Sequence, residues 1–226
     1  MSAQRVRKLI VASLLLALIS TASASKHRSS SASSNADNTP GAFDYYLLVL
    51  SWAPEFCATH QSSMSSSECD PTRHYGFVVH GLWPQNNNGS WPSNCGSAQP
   101  VSNEIVREML PIMPARGLIQ HEWATHGTCS GLSSQQYFGD IQQLYKSVKV
   151  PQQYQHPSAQ FSAAPRDIEQ KFAQANGAPA TAFRVSCSSG QFIAIEACFD
   201  KNLKYQDCGS SVKECRAPRV TVLPTP

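Results

Sequence analysis

Residues 43–52 read FDYYLLVLSW. The run is apolar and aromatic, and Phe, Tyr, Val and Trp fit the pleated, buried surface of a strand. Residues 76–83, GFVVHGLW, share that character, so both runs are expected as buried strands. The other end of the chain holds a hairpin pattern, in which residues 183–187 and 191–199 flank the turn Ser188-Ser189-Gly190, and residues 219–223 form a candidate last strand. Between these ends the period changes. Ser133 with Gln136 three residues on makes a capping box, after which Tyr137, Ile141, Leu144, Tyr145 and Val148 recur at helical spacing, predicting an amphipathic helix to about Lys149. Shorter helical patterns cover 103–113 and 165–175, the latter with Pro165 in its first turn, where a missing N–H costs nothing. Strands at both ends with helices between them predict an α+β fold. Its central sheet is expected to be antiparallel, with the helices clustered to one side.

Of the 226 residues 41% are hydrophobic, enough for one packed core. Residues 1–24 read as a signal peptide. Arg5, Arg7 and Lys8 precede an apolar run at 9–19, and Ala22-Ser23-Ala24 is a small-residue cleavage site. Neither that run nor any later one reaches the roughly 18 apolar residues of a membrane span. Residues 25–40 are Ser-rich, end in Pro40 and read as a disordered linker, leaving 41–226 as one domain. Setting aside the three cations of the signal peptide reduces the 18 Lys and Arg to 15, against 15 Asp and Glu. A neutral chain of this kind excludes tight, salt-sensitive binding of duplex nucleic acid through many phosphates. All eight cysteines follow the signal peptide, and an even number in a chain with 15% charged residues predicts four disulfides and a secreted or periplasmic location. Their pairing is left open by the spacing alone. Residues 85–100 are turn formers and predict a loop, which carries the glycosylation sequon Asn88-Gly89-Ser90.

The chemistry is concentrated in two segments, His80 within VVHGLWP and the pair His121 and His126 within QHEWATHGTC. The second superficially matches a zinc-protease helix. Its histidines are five apart rather than four, however, which turns them by about 140° on a helix and denies them a common face. No C-x-x-C pair supports a zinc site, and no G-x-S-x-G elbow supports a serine triad. Glu122 and His126, by contrast, are i and i+4 and share a helical face, where the carboxylate can orient the imidazole. His80 adds a second imidazole from a separate strand. Two histidines of opposite protonation state are what a metal-free phosphodiester transfer requires, one as base toward a hydroxyl and one as acid toward the leaving oxygen.

The segments HGLWP at 80–84 and HEWATHGTC at 121–129 resemble the two catalytic segments of the ribonuclease T-two family, secreted transferase-type endoribonucleases. The likeness extends over residues 43–220. It implies cleavage of single-stranded RNA through a 2′,3′-cyclic phosphate to a 3′ phosphate, with little base specificity, no cofactor or metal, no DNA substrate and a monomeric protein. It further implies His80 as general acid, His126 as general base, His121 at the phosphate, Glu122 supporting charge in the transition state, and Trp83 and Trp91 as base-binding platforms. The pairing implied is Cys57–Cys69, Cys95–Cys129, Cys187–Cys215 and Cys198–Cys208. One position departs from the family pattern: Thr125 stands where a Lys usually precedes the final His, and Arg73 is a candidate substitute cation. Two rival classes share the His and Glu cluster, a binding protein without catalysis and a metal-dependent hydrolase.

Overall fold

The computed structural model describes residues 38–60, 67–209 and 212–226, so the stretch read as a signal peptide and most of that read as a linker lie outside the described residues. Strand β1 (Tyr45–Trp52) runs between β2 (Phe77–Gln85) and β5 (Gln191–Phe199), antiparallel to both. It passes directly into a short helix, α1 (Ala53–Thr59), which carries a proline in its first turn. Strand β4 (Phe183–Ser188) pairs antiparallel with β5. Two short strands complete the sheet, β3 (Phe161–Ala163) antiparallel to β6 (Val220–Val222), which meets β5 at one parallel pair, Gln191 with Thr221.

The unbroken apolar run of β1 has a simple cause. Tyr46, Leu48, Leu50 and Trp52 point into the principal core, whereas Tyr45, Leu47 and Val49 point to the other face, into a smaller cluster with Ala194, Cys198, Cys208 and Val212. With both faces covered, neither set of alternate positions needs to be polar. The principal core is roofed by four helices: α2 (Asn103–Met109), α3 (Arg116–Thr125), α4 (Ser134–Ser147) and α5 (Pro165–Asn176). They contribute, among others, Val106, Ile119, Tyr137, Ile141 and Phe172, all fully buried. Helix α4 opens on the reciprocal Ser133 and Gln136 cap, and α5 opens on Pro165 and stops at Gly177, whose positive φ of 61° suits a residue without a Cβ.

Register along β2 sets up the site. Val49 pairs with Gly81 but Leu50 pairs with Val79, so His80 is the extra residue of a β-bulge. The bulge changes the parity of the strand. Phe77 and Val79 before it and Leu82 after it all reach the principal core, and Trp83 is thereby turned to the opposite face. Four disulfides fasten the loops, Cys57–Cys69, Cys95–Cys129, Cys187–Cys215 and Cys198–Cys208.

Candidate active site

Glu122 sits on the buried face of α3, its side chain 1% exposed, directly over the bulge. Its Oε2 accepts a hydrogen bond of 2.8 Å from Nε1 of Trp83, and its Oε1 lies 3.6 Å from Nε2 of His80. The approach of α3 to β2 depends on Gly81, because a Cβ there would collide with the Glu122 carboxyl and the Trp83 indole nitrogen. His80 is 43% exposed, and its Nδ1 lies 3.4 Å from Oγ of Ser51 on β1. A bulge that re-aims one side chain beside a cleft is a common device of functional sites.

His126 follows α3 as its C-cap residue. The imidazole stacks on Trp83, with ring centroids 5.2 Å apart and planes 29° from parallel, while His80 meets the same indole edge-on at 5.4 Å. Trp83 therefore stands between the two imidazoles and also donates to the carboxyl. Spacing along the helix suggested that Glu122 would orient His126. The structure corrects this, since the carboxyl turns to Trp83 and His80, and Nδ1 of His126 is buried with no hydrogen-bond partner. The last α-helical bond is kept, His126 N donating to Glu122 O at 3.0 Å, but as the C-cap residue His126 has φ −115°, away from the helical value, which rotates its side chain relative to the face of Glu122. The end of α3 is held in place from outside. Asn94 N donates to Thr125 O at 2.8 Å, and the neighbouring Cys95 is bonded to Cys129.

Burial decides the protonation of the group. It pushes the Glu122 carboxyl up to about 7, against the Trp83 hydrogen bond, which favours the anion. It pulls His126 down to about 4, helped by the positive charges of His121 and His80. His80 is lowered for the same reasons, first burial and then His121. His121 itself lies exposed on α3, within electrostatic reach of both other histidines. Among the described residues no three His, Cys, Asp or Glu side chains are grouped as metal ligands.

A cavity of about 570 Å³ opens beside His126 on the sheet face away from the helices. Leu47, Trp83, Gln85, Trp91 and His126 line one half of it. The other half is formed by Ser186 and Cys187 of β4, Glu196 of β5 and the covering segment 212–216. Trp91 is 52% exposed, the large apolar side chain most open to solvent among the described residues. Arg73, the candidate substitute cation, lines a different groove with His74, Tyr145 and His156, because its 3₁₀ turn at Pro71–Arg73 precedes β2. The cations on the site cavity are Lys213 and Arg216. Sequence reading missed these two and Glu196, as they belong to no motif. The Cys187–Cys215 pairing implied by the resemblance is the signal that could have found them, since it brings 212–216 beside β4.

Two imidazoles and a buried carboxyl gathered around one indole, at the mouth of a partly apolar cleft, define an acid–base site of the kind that moves protons during group transfer. The chain belongs to the Ribonuclease T2 family, whose profile matches residues 43–208. It is 38% identical over 128 residues to a protein of Haemophilus influenzae named "Probable ribonuclease", covering 51% of this chain and 47% of that one. Ribonuclease DdI of Dictyostelium discoideum is 28% identical over 213 residues, covering 86% of this chain and 91% of that one. The chain thus spans about half the length of the Haemophilus relative. Among solved structures, the fold is similar to that of an RNase-related protein from Calystegia sepium, with a TM-score of 0.66 and 24% identity over 81% of this chain and 98% of that one.

Proposed function

We propose that the protein is a secreted endoribonuclease that cleaves single-stranded RNA by metal-independent transesterification, through a 2′,3′-cyclic phosphate to a 3′ phosphate. The observation that carries the reading is the pairing of His80 and His126 across Trp83, with Glu122 against His80. His126, held neutral by burial, takes the proton of the ribose 2′ hydroxyl as its oxygen attacks phosphorus. His80 gives a proton to the departing 5′ oxygen, so that the bond to that oxygen breaks without expelling an alkoxide. Glu122 fixes the His80 ring, and His121 meets the phosphate oxygens from the exposed side of α3. Thr125 supplies no charge there, so neutralisation of the phosphate falls to His121 and the cavity cations Lys213 and Arg216. Stacking of a base on exposed Trp91 favours no particular sequence. Four disulfides suit an oxidising compartment, in keeping with export.

A gel assay with RNA and with DNA of the same sequence, each with and without a chelator, tests the reading. RNA is expected to be cut equally in both conditions and DNA to stay intact, because it lacks the nucleophilic 2′ hydroxyl. Cutting that stops with chelator would establish the metal-dependent alternative, and intact RNA throughout would leave a binding protein.

The pH dependence follows from the signs of the shifts. His126 must be neutral, so kcat/KM rises as pH climbs through about 4. His80 must be charged, and its pKa is below the usual 6.5, so kcat/KM falls again before neutrality. The expected profile is a bell with an acidic maximum, since kcat/KM reports the free enzyme's groups. Steady-state rates on a dinucleoside phosphate across the acid and neutral range check this, and a rise that continues into alkaline pH contradicts it.

A further inference from the structure

Stacking on a flat indole holds a base without asking which base it is. The far half of the cavity offers something else. Glu196 lies on β5 opposite Val49 of β1 and Arg184 of β4, on the same sheet face as Ala194 and Cys198, and it lines the cavity together with Ser186. The segment covering that half is pinned to β4 by the Cys187–Cys215 bond. His126 lies at the near side of the same cavity, whereas His80 does not line it. A nucleoside held in this cavity with its 2′ hydroxyl at His126 shares the space with Leu47 and Glu196, which are near neighbours on this sheet face across the β1–β5 pairing.

We propose that Glu196 reads the Watson–Crick edge of the base on the 5′ side of the scissile phosphate. The assignment rests on the ribonuclease reading of the site. A carboxyl group is well suited to such reading, because its hydrogen-bonding pattern depends on its proton. As a carboxylate it only accepts, and its two oxygens match the N1–H and N2–H donors of guanine. As a carboxylic acid it donates from O–H to N1 of adenine while its carbonyl oxygen accepts from the N6 amino group. A wrongly matched edge leaves a buried polar group without a partner, which is how a site built for one hydrogen-bonding pattern rejects another.

The charged group acting on Glu196 is Arg184 from β4; Lys213, Glu214 and Arg216 of the covering segment and His126 from the end of α3 line the same cavity. Burial outweighs Arg184 and raises the carboxyl to about 7. Both protonation states are therefore reached within the range in which the protein is handled.

The test compares GpU and ApU as substrates at about pH 5.5 and about pH 8.5. The ratio of their kcat/KM values cancels the loss of rate common to both as His80 deprotonates. In the unmodified protein the GpU/ApU ratio is expected to rise with pH by at least about fivefold, the lower end of what a bidentate base contact discriminates. In Glu196→Gln the amide both donates and accepts at every pH and can meet the edge of either purine, so the ratio should be flat. A ratio that changes with pH equally in both proteins, or in neither, overturns the assignment of Glu196 while leaving the ribonuclease reading intact. If neither dinucleotide is cut, both fall. Where the Gln variant does not fold, the pH series on the unmodified protein still decides, because a ratio that stays flat there overturns the assignment by itself.

Discussion

Replacement of His80 or His126 by alanine is expected to lower kcat by about 10²–10⁴, the usual contribution of a positioned general acid or base. The two losses should not multiply. Acid and base act in one concerted displacement, so once either is gone the other has little left to assist, and the double variant should be only slightly worse than the poorer single one. Stability provides the control. His80 is 43% exposed, with long contacts to Ser51 and Glu122 and an edge-on contact with Trp83, so His80→Ala should shift the unfolding free energy by less than about 1 kcal/mol. His126→Ala removes a stacked ring and should cost more, about 1 kcal/mol. Turnover and thermal unfolding measured on the same samples separate the two quantities. Near-normal turnover in either single variant would remove that histidine from the mechanism, whatever its place beside Trp83.

Most of the fold was legible in two patterns, continuous apolar runs and a helical repeat. The runs that form β1 and β2 are buried at nearly every position, and the 3.6-residue pattern of α4 carries burial once each turn. The elements that escaped have no such pattern. Helix α1 is seven residues long and continues an apolar strand without a break, and β3 is three residues that gain their partner from β6, near the end of the chain. The site divides in the same way. His80, Glu122 and His126 stand in compact segments whose composition singles them out. Which of them touch was not legible, because contact depends on the bulge at His80, a change of one residue in register, and on the backbone angle of His126 at the end of α3. The stack of Trp83 on His126 and the Trp83 bond to Glu122 are consequences of that geometry. Glu196, Lys213 and Arg216 reach the cavity through long-range strand pairing, which leaves no local trace, and through the Cys187–Cys215 bond, which the resemblance implied but which names no side chain beside it.

Gly81→Ala is expected to be the most damaging single-methyl change in the protein. The backbone at Gly81 needs no unusual conformation, so the damage is one of space. The new Cβ would fall inside the contact distance of Glu122 Oε2 and Cδ and of Trp83 Nε1. Either the carboxyl moves, breaking its hydrogen bond to Trp83 and its contact with His80, or α3 lifts from β2. Overpacking of this kind costs about 1–3 kcal/mol, and loss of the pairing around Trp83 should reduce kcat by about 100-fold, as misplacement of a catalytic group by an ångström can. A double-mutant cycle with Glu122→Ala identifies the cause. Truncating Glu122 removes the closest of these clashes and leaves the one with Trp83 Nε1, so Gly81→Ala should destabilise the Glu122→Ala protein less than it destabilises the parent, with a coupling above about 0.5 kcal/mol. Activity should not recover in the double variant, because the carboxyl that positions His80 is then absent. Additive stabilities would show that the methyl group meets something other than Glu122. Full activity in Gly81→Ala would show that the close approach of α3 to the bulge does not set the geometry of His80.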